Sequence, residues 1–226
     1  VTAGGQLQAL SSVPAGDIPR GAAIDSTGRF YYTANSFASS VSQYRIDAAN
    51  PGLTPLSPAS VPAGGGPFDV VCDPNGRFAW VSNSVDGSVS AYTIDPVDGR
   101  LTELPNSPYP VGVRPSNMAI HPGGRYLVVA DETQGVLHRL RINLDPGDGL
   151  ADGTLVSIGL TPITVPPRGV RFSADGRTLF VSIDNPSDPD NLVVYDFDPT
   201  TGTVASSDVE PSASQPRGLA TRDRVQ

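Results

Sequence analysis

The chain has 226 residues with 15 arginines, no lysine and 23 acids, so its net charge is −8 and its pI near 4.6, which excludes nucleic acid or an anionic membrane surface as a partner drawn by charge. At 38% hydrophobic it can bury a core as one domain, 1–226, and its 24 glycines and 23 prolines call for many tight turns. Cys72, the one cysteine, excludes an internal disulfide, and the sequence contains no leader-like segment and no apolar run long enough to cross a membrane.

Taken in order, residues 1–18 (ending SSVPAGDI) read as the outer strand of a unit whose inner strands are not in the sequence. Four full units follow, 19–66, 67–114, 115–166 and 167–215, and residues 216–226 (PRGLATRDRVQ) open a fifth with one strand. The register is set by Gly-Arg pairs at Gly28, Gly76, Gly124 and Gly176, spaced 76 − 28 = 48, 124 − 76 = 48 and 176 − 124 = 52 residues apart. A period of this size signals a propeller or a solenoid.

Within the first unit, AAID and FYYTAN are short runs of small, β-branched and aromatic residues. Between them Asp25 can accept from the turn backbone and Gly28 can take a positive φ, which closes a tight hairpin. VSQYRID alternates as a third strand, and the proline-interrupted LTPLSPASVPAG fits only a sheet edge. Four antiparallel strands per unit, with no helical periodicity, predict an all-β propeller blade. Four complete blades with a partial strand group at each end predict a piece of a larger ring, completed by further residues or by other copies.

The unit pattern [DS]-x-x-G-R-x-[LFV]-[YFV]-V-[SA]-[ND], followed by D-P-x-x-G-x-L as in Asp95–Leu101 and Asp198–Val204, resembles the lactonase-type seven-bladed propellers. That group takes in the propeller form of 6-phosphogluconolactonase, the related muconate cycloisomerases and surface-layer propellers of the YVTN type. In the best register, residues 1–17 match the end of the second blade and 216–226 the start of the seventh. The resemblance implies a site at one mouth of the channel, where a His, a Glu and Arg residues act. Glu132 in VVADET and Arg217 in QPRG match that pattern and are the catalytic candidates, whereas the expected P-R-H is Pro115-Ser116-Asn117 and the blade that should present a His has Gly66-Pro67-Phe68.

Loops entering the first strands and leaving the second strands gather at that mouth. They bring Arg20, Phe68, Ser116, Asn117, Arg168 and Arg217 from one set, and Asn35, Asn83, Asp131, Glu132, Asp184 and Asn185 from the other. Arg20, Arg168, Asn117, Asp131 and Asp184 are therefore candidate ligand-binding residues, and arginines in P-R-G contexts suit a carboxylate or phosphate. The competing expectation is that each arginine bridges neighbouring blades through an aspartate at the same rim. His121 stands where sister blades have Asp25, Asp73 and Ser173, which predicts turn capping at the opposite end. His138 is expected to face outward or between blades. The acid-rich loops around Asp145, Asp148 and Asp152 and around Asp184, Asp188 and Asp190 lack EF-hand spacing, so no metal and no cofactor is expected.

Two functions stay open: a scaffold whose mouth takes a small anionic molecule or a protein partner, and a sugar-lactone hydrolase using Glu132 and Arg217. A start at Val1 fits either a removed leader or a segment boundary, and an extracellular or periplasmic setting is expected ahead of a cytoplasmic one.

Overall fold

A computed structural model describes residues 12–47, 52–145, 147, 152–163, 165–183 and 191–211. Among these, no α-helix forms. The strands fall into four antiparallel sheets. The first holds β1 (Pro19–Ile24), β2 (Phe30–Asn35), β3 (Ser40–Asp47) and β4 (Gly52–Pro62). The second holds β5 (Pro67–Cys72), β6 (Phe78–Asn83), β7 (Ser88–Ile94) and an outer strand split into β8 (Leu101–Glu103) and β9 (Tyr109–Pro110). The third holds β10 (Pro115–Ile120), β11 (Tyr126–Asp131), β12 (Val136–Ile142) and β13 (Leu155–Pro162). The fourth holds β14 (Pro167–Phe172), β15 (Thr178–Ile183), β16 (Asn191–Asp198) and β17 (Thr203–Pro211). Inner strands β1, β5, β10 and β14 lie side by side, so the sheets stand around a channel as propeller blades.

The repeated hairpin turn follows from its residue chemistry. Asp25 Oδ1 accepts from the N–H groups of Arg29 (2.8 Å) and Phe30 (2.7 Å), and its Oδ2 accepts from Thr27 N (3.0 Å). Gly28, at φ +71°, closes the turn with its N–H on the Asp25 carbonyl at 3.0 Å. Each inner strand starts with proline, and in each the register slips just after it, between Pro19/Ala22, Pro67/Asp69, Pro115/Met118 and Pro167/Gly169. Proline is tolerated there because it heads the strand, and the slip takes the next residue out of the regular ladder. Arg20, Phe68, Ser116 and Arg168 occupy that position, at the mouth.

The core lies between blades. Phe30, Tyr32, Val70, Val81 and Tyr92 fill the first seam; Phe78, Trp80, Met118, Leu127 and Leu140 the second; Val128, Phe172, Leu179, Val181 and Phe197 the third. Fully burying such side chains stabilises by about 1.5–3 kcal/mol each. Polar tips crossing the seams are satisfied: Tyr32 Oη donates to Gly99 O (2.6 Å), Trp80 Nε1 to Gly153 O (3.1 Å) and Tyr126 Oη to Thr200 O (2.9 Å). In the second, third and fourth blades the glycine of the turn between third and fourth strands fits beneath an aromatic ring of the preceding blade. A Cβ at Gly99 would stand 2.2 Å from Phe30, at Gly153 2.5 Å from Phe78, and at Gly202 2.6 Å from the Tyr126 ring.

Candidate functional site

At the mouth, the end of the second strand in the first and third blades ties down the loop that enters its own blade. Asn35 Oδ1 accepts from Gly16 N (3.2 Å) while its amide donates to Ser42 (2.9 Å); Asn83 donates to Ser90 at the same distance, 2.9 Å. In the third blade this pair is replaced by Asp131 and His138. Asp131 is fully buried, its Oδ2 accepting from Val113 N (2.6 Å) and Arg114 N (3.0 Å) and its Oδ1 from Thr133 N and Gln134 N (both 2.9 Å). Burial alone would raise its pKa, but those four N–H groups outweigh it and hold the carboxyl below its ordinary value. The Asp131 carboxylate is thus spent on holding the loop, which removes it from the ligand-binding candidates.

His138 Nε2 lies 3.6 Å from Asp131 Oδ2, with the side chain only 6% exposed. Facing outward is therefore incorrect: the ring sits behind the mouth, where Ser42 and Ser90 sit in sister blades. Burial lowers its pKa against the pull of Asp131, so the ring is neutral at pH 7.

One residue beyond Asp131, Glu132 Oε2 pairs with Arg168 Nη1 of the next blade at 2.9 Å, the Arg168 side chain being 41% exposed and that of Glu132 12%. The Asn117 amide donates to the Arg168 carbonyl, fixing the backbone beneath the guanidinium. Arg20 lies over the Phe68 ring, 5.0 Å from its centroid, and no carboxylate pairs with it among the described residues. The structure thus brings Glu132, Arg168 and Asn117 together, and places Arg20 on an earlier blade of the arc. Arg217, Asp184 and Asn185 lie outside the described residues.

Two charged residues of the inner wall escape the sequence reading. Asp69, 6% exposed, accepts from Met118 N of the next blade (2.9 Å) and from Val70 N (2.9 Å). Burial raises its pKa, with those bonds and the Arg171 charge opposing. Arg171 donates to the Met118 and Val170 carbonyls, both at 2.9 Å. Their signal was a departure from the repeat: Asp69 stands where sisters have Gly21, Asn117 and Gly169, and Arg171 where they have Ala23, Val71 and Ala119.

His121 caps its turn, with Nδ1 accepting from Gly123 N at 2.9 Å, and its ring packs 5.3 Å from Phe172 and 5.4 Å from Phe197. Burial lowers its pKa. Of the acid-rich loops, Asp152 lies 4.0 Å from Arg77 Nη1, Asp145 accepts from Gly147 N at 2.9 Å, and Asp148, Asp188 and Asp190 lie outside the described residues. Among the described residues no group of three or more His, Cys, Asp or Glu is placed to hold a metal ion. No described helix is long and apolar enough to cross a membrane.

The family model of the lactonase seven-bladed β-propellers matches residues 39–221, most of the chain. The chain belongs to this lactonase family. Among solved structures, this lactonase-family propeller resembles a candidate 6-phosphogluconolactonase from Bacteroides fragilis NCTC 9343, with a TM-score of 0.75 at 18% identity over 88% of this chain and 56% of that one. It also resembles the periplasmic gluconolactonase PpgL of Pseudomonas aeruginosa, at TM-score 0.70 and 25% identity over 87% of this chain and 55% of that one. A third neighbour is the hydrazine synthase of Kuenenia stuttgartiensis, at TM-score 0.63 and 24% identity over 93% of this chain and 54% of that one. The lactonase-family chain therefore spans little more than half the length of each neighbour. No curated protein matches it in sequence. That a hydrazine synthase shares the arc means that the blades alone do not specify chemistry, and the mouth residues must carry the functional argument.

Proposed function

We propose that this propeller binds a small anionic molecule at its channel mouth, on Arg168, with Arg20 as a second cation of the arc. The observation that carries this is the Glu132–Arg168 bridge, in which the acid is 12% exposed and the guanidinium 41%. Glu132 sits behind Arg168 and orients it, so the cation faces solvent already fixed in direction, and less freedom is lost when a carboxylate or phosphate docks. Membership of the lactonase family, and neighbours named for 6-phosphogluconolactonase and gluconolactonase, make sugar acids and their lactones the first ligands to test.

The second reading, hydrolysis of a sugar lactone, is favoured by the same pair. Glu132 would take a proton from water as the oxygen attacks the lactone carbonyl and return it to the ring oxygen as the ring C–O bond breaks to give the hydroxy acid, and Arg168 and Arg217 would hold the anionic group.

One set of measurements separates the two: calorimetric binding of gluconate and 6-phosphogluconate, and acid release from gluconolactone, in wild type, Arg168→Ala, Arg20→Ala and Glu132→Gln. Binding is expected to weaken at least about tenfold in Arg168→Ala, because a charge-assisted hydrogen bond is lost. Binding without turnover supports the binding reading. Turnover that falls in Glu132→Gln transfers the function to the hydrolase, and wild type that neither binds nor turns over refutes both.

A further inference from the structure

The two peptide groups that flank Asn117 are both held from the second blade. Ser82 Oγ donates to Ser116 O at 2.6 Å, and Asp69 Oδ2 accepts from Met118 N at 2.9 Å. Asn117 itself stands in the register slip of β10, between Pro115 and Met118, where the ladder to β11 skips it. From there its amide donates to the Arg168 carbonyl, and Arg171, further along β14, returns to Met118 O through Nη1 at 2.9 Å. β10 and β14 belong to different sheets, so these two side-chain bonds join strands that no ladder joins. Glu132 holds the Arg168 guanidinium and Asn117 its backbone, so the arginine is gripped at both ends.

Stability alone does not account for a carboxylate in this arrangement. Asp69 is 6% exposed, and the loss of water around a buried acid offsets much of what its hydrogen bonds contribute. Two sister blades have glycine at its place, Gly21 and Gly169, and the first of these makes room for it: a Cβ on Gly21 would stand 2.5 Å from Asp69 Oδ1. The charge that acts on Asp69 is that of Arg171, which holds the other side of Met118, so opposite charges draw the second and fourth blades onto one residue of the third. We propose that Asp69, Ser82 and Arg171 are positioning residues for the anion site, acting through Asn117 and Met118 to fix the direction of Arg168. This rests on the reading of Arg168 as the anion-binding cation given above.

The test is calorimetric binding of gluconate and 6-phosphogluconate to the full chain. Asp69→Ala and Arg171→Met are each expected to weaken binding about three- to tenfold, the effect of loosening one fixed side chain. In an Asn117→Ala background the effect of Asp69→Ala is expected to shrink below about twofold, because the link it acts through is gone. Asp69→Asn keeps an acceptor for Met118 N and is expected to bind more tightly than Asp69→Ala. Ser82→Ala removes only a hydroxyl and takes the place of Asp69→Ala in the same cycle if that variant does not fold. Tyr32→Phe, which loses its bond to Gly99 O in the first seam, is the control for a general loss of stability and is expected to bind as wild type does. Unchanged binding in Asp69→Ala and Arg171→Met, additive losses with Asn117→Ala, no recovery in Asp69→Asn, or an equal loss in Tyr32→Phe overturns the positioning role and leaves the anion site standing. A wild type that binds neither anion overturns the anion reading, and the positioning role falls with it.

Discussion

Gly28 and Gly99 both adopt positive φ, +71° and +79°, but a Cβ on Gly28 would meet nothing within 4 Å whereas one on Gly99 would stand 2.2 Å from Phe30 Cδ1. Gly28→Ala therefore costs only the left-handed backbone penalty of an L-residue, about 1–2 kcal/mol. Gly99→Ala costs that plus overpacking of about 1–3 kcal/mol, about 2–5 kcal/mol in all. Phe30, 1% exposed, has no room to withdraw. The assay is urea unfolding followed by the fluorescence of Trp80, the only tryptophan and fully buried in the second seam. In a Phe30→Ala background the extra cost of Gly99→Ala should vanish, because the ring is gone. Equal losses for the two alanines in the wild-type background would refute the claim that the blade seam is packed against this glycine.

Burial lowers the pKa of both His121 and His138 from the ordinary 6.5, so the unfolded chain binds protons first. Their stabilisation is complete above pH 6.5 and is lost as the pH falls from there through the folded-state values; thermal melts across pH 7.5 to 5 should show it, with a shallower slope in His121→Asn/His138→Ser. Cys72 has its thiol pKa pushed up to about 12 by burial, with the Asp25 and Asp73 charges adding to it. It should resist a thiol reagent at pH 8 in the folded chain and react in urea; rapid labelling of the native protein would contradict its placement.

What was legible in the sequence is what local chemistry decides. Asp25 and Gly28 build their hairpin from their own backbone, and the prolines of LTPLSPASVPAG leave β4 paired only with β3, at the edge. The mouth was harder because its roles depend on which groups the fold has already used. Asp131 and Glu132 are adjacent acids, yet one accepts four backbone N–H groups and the other reaches an arginine of the next blade. Comparison with Asn35 contained the clue, since its amide oxygen accepts from Gly16 N and so ties the entry loop. The bridging of Arg168 was foreseen as the competing expectation; its partner turned out to be Glu132 rather than an aspartate. For His138 the sequence left outward and between-blade placements open and burial excludes the first, because strand alternation fixes a face but not what stands at the end of it; and the buried stitch from Asp69 to Met118 crosses 49 residues.

The glycine seated under an aromatic ring recurs at every described seam, Gly99 on Phe30, Gly153 on Phe78 and Gly202 on Tyr126. The second and third blades thus each carry a ring on one side and a seated glycine on the other, of one pattern. A tandem duplication of about one repeat length delivers both halves of the joint together and needs no new fitting. Lineages built this way gain or lose whole blades more readily than they change the joint. By the same logic, a replacement at one of these glycines is corrected most simply by a smaller ring on the blade before it.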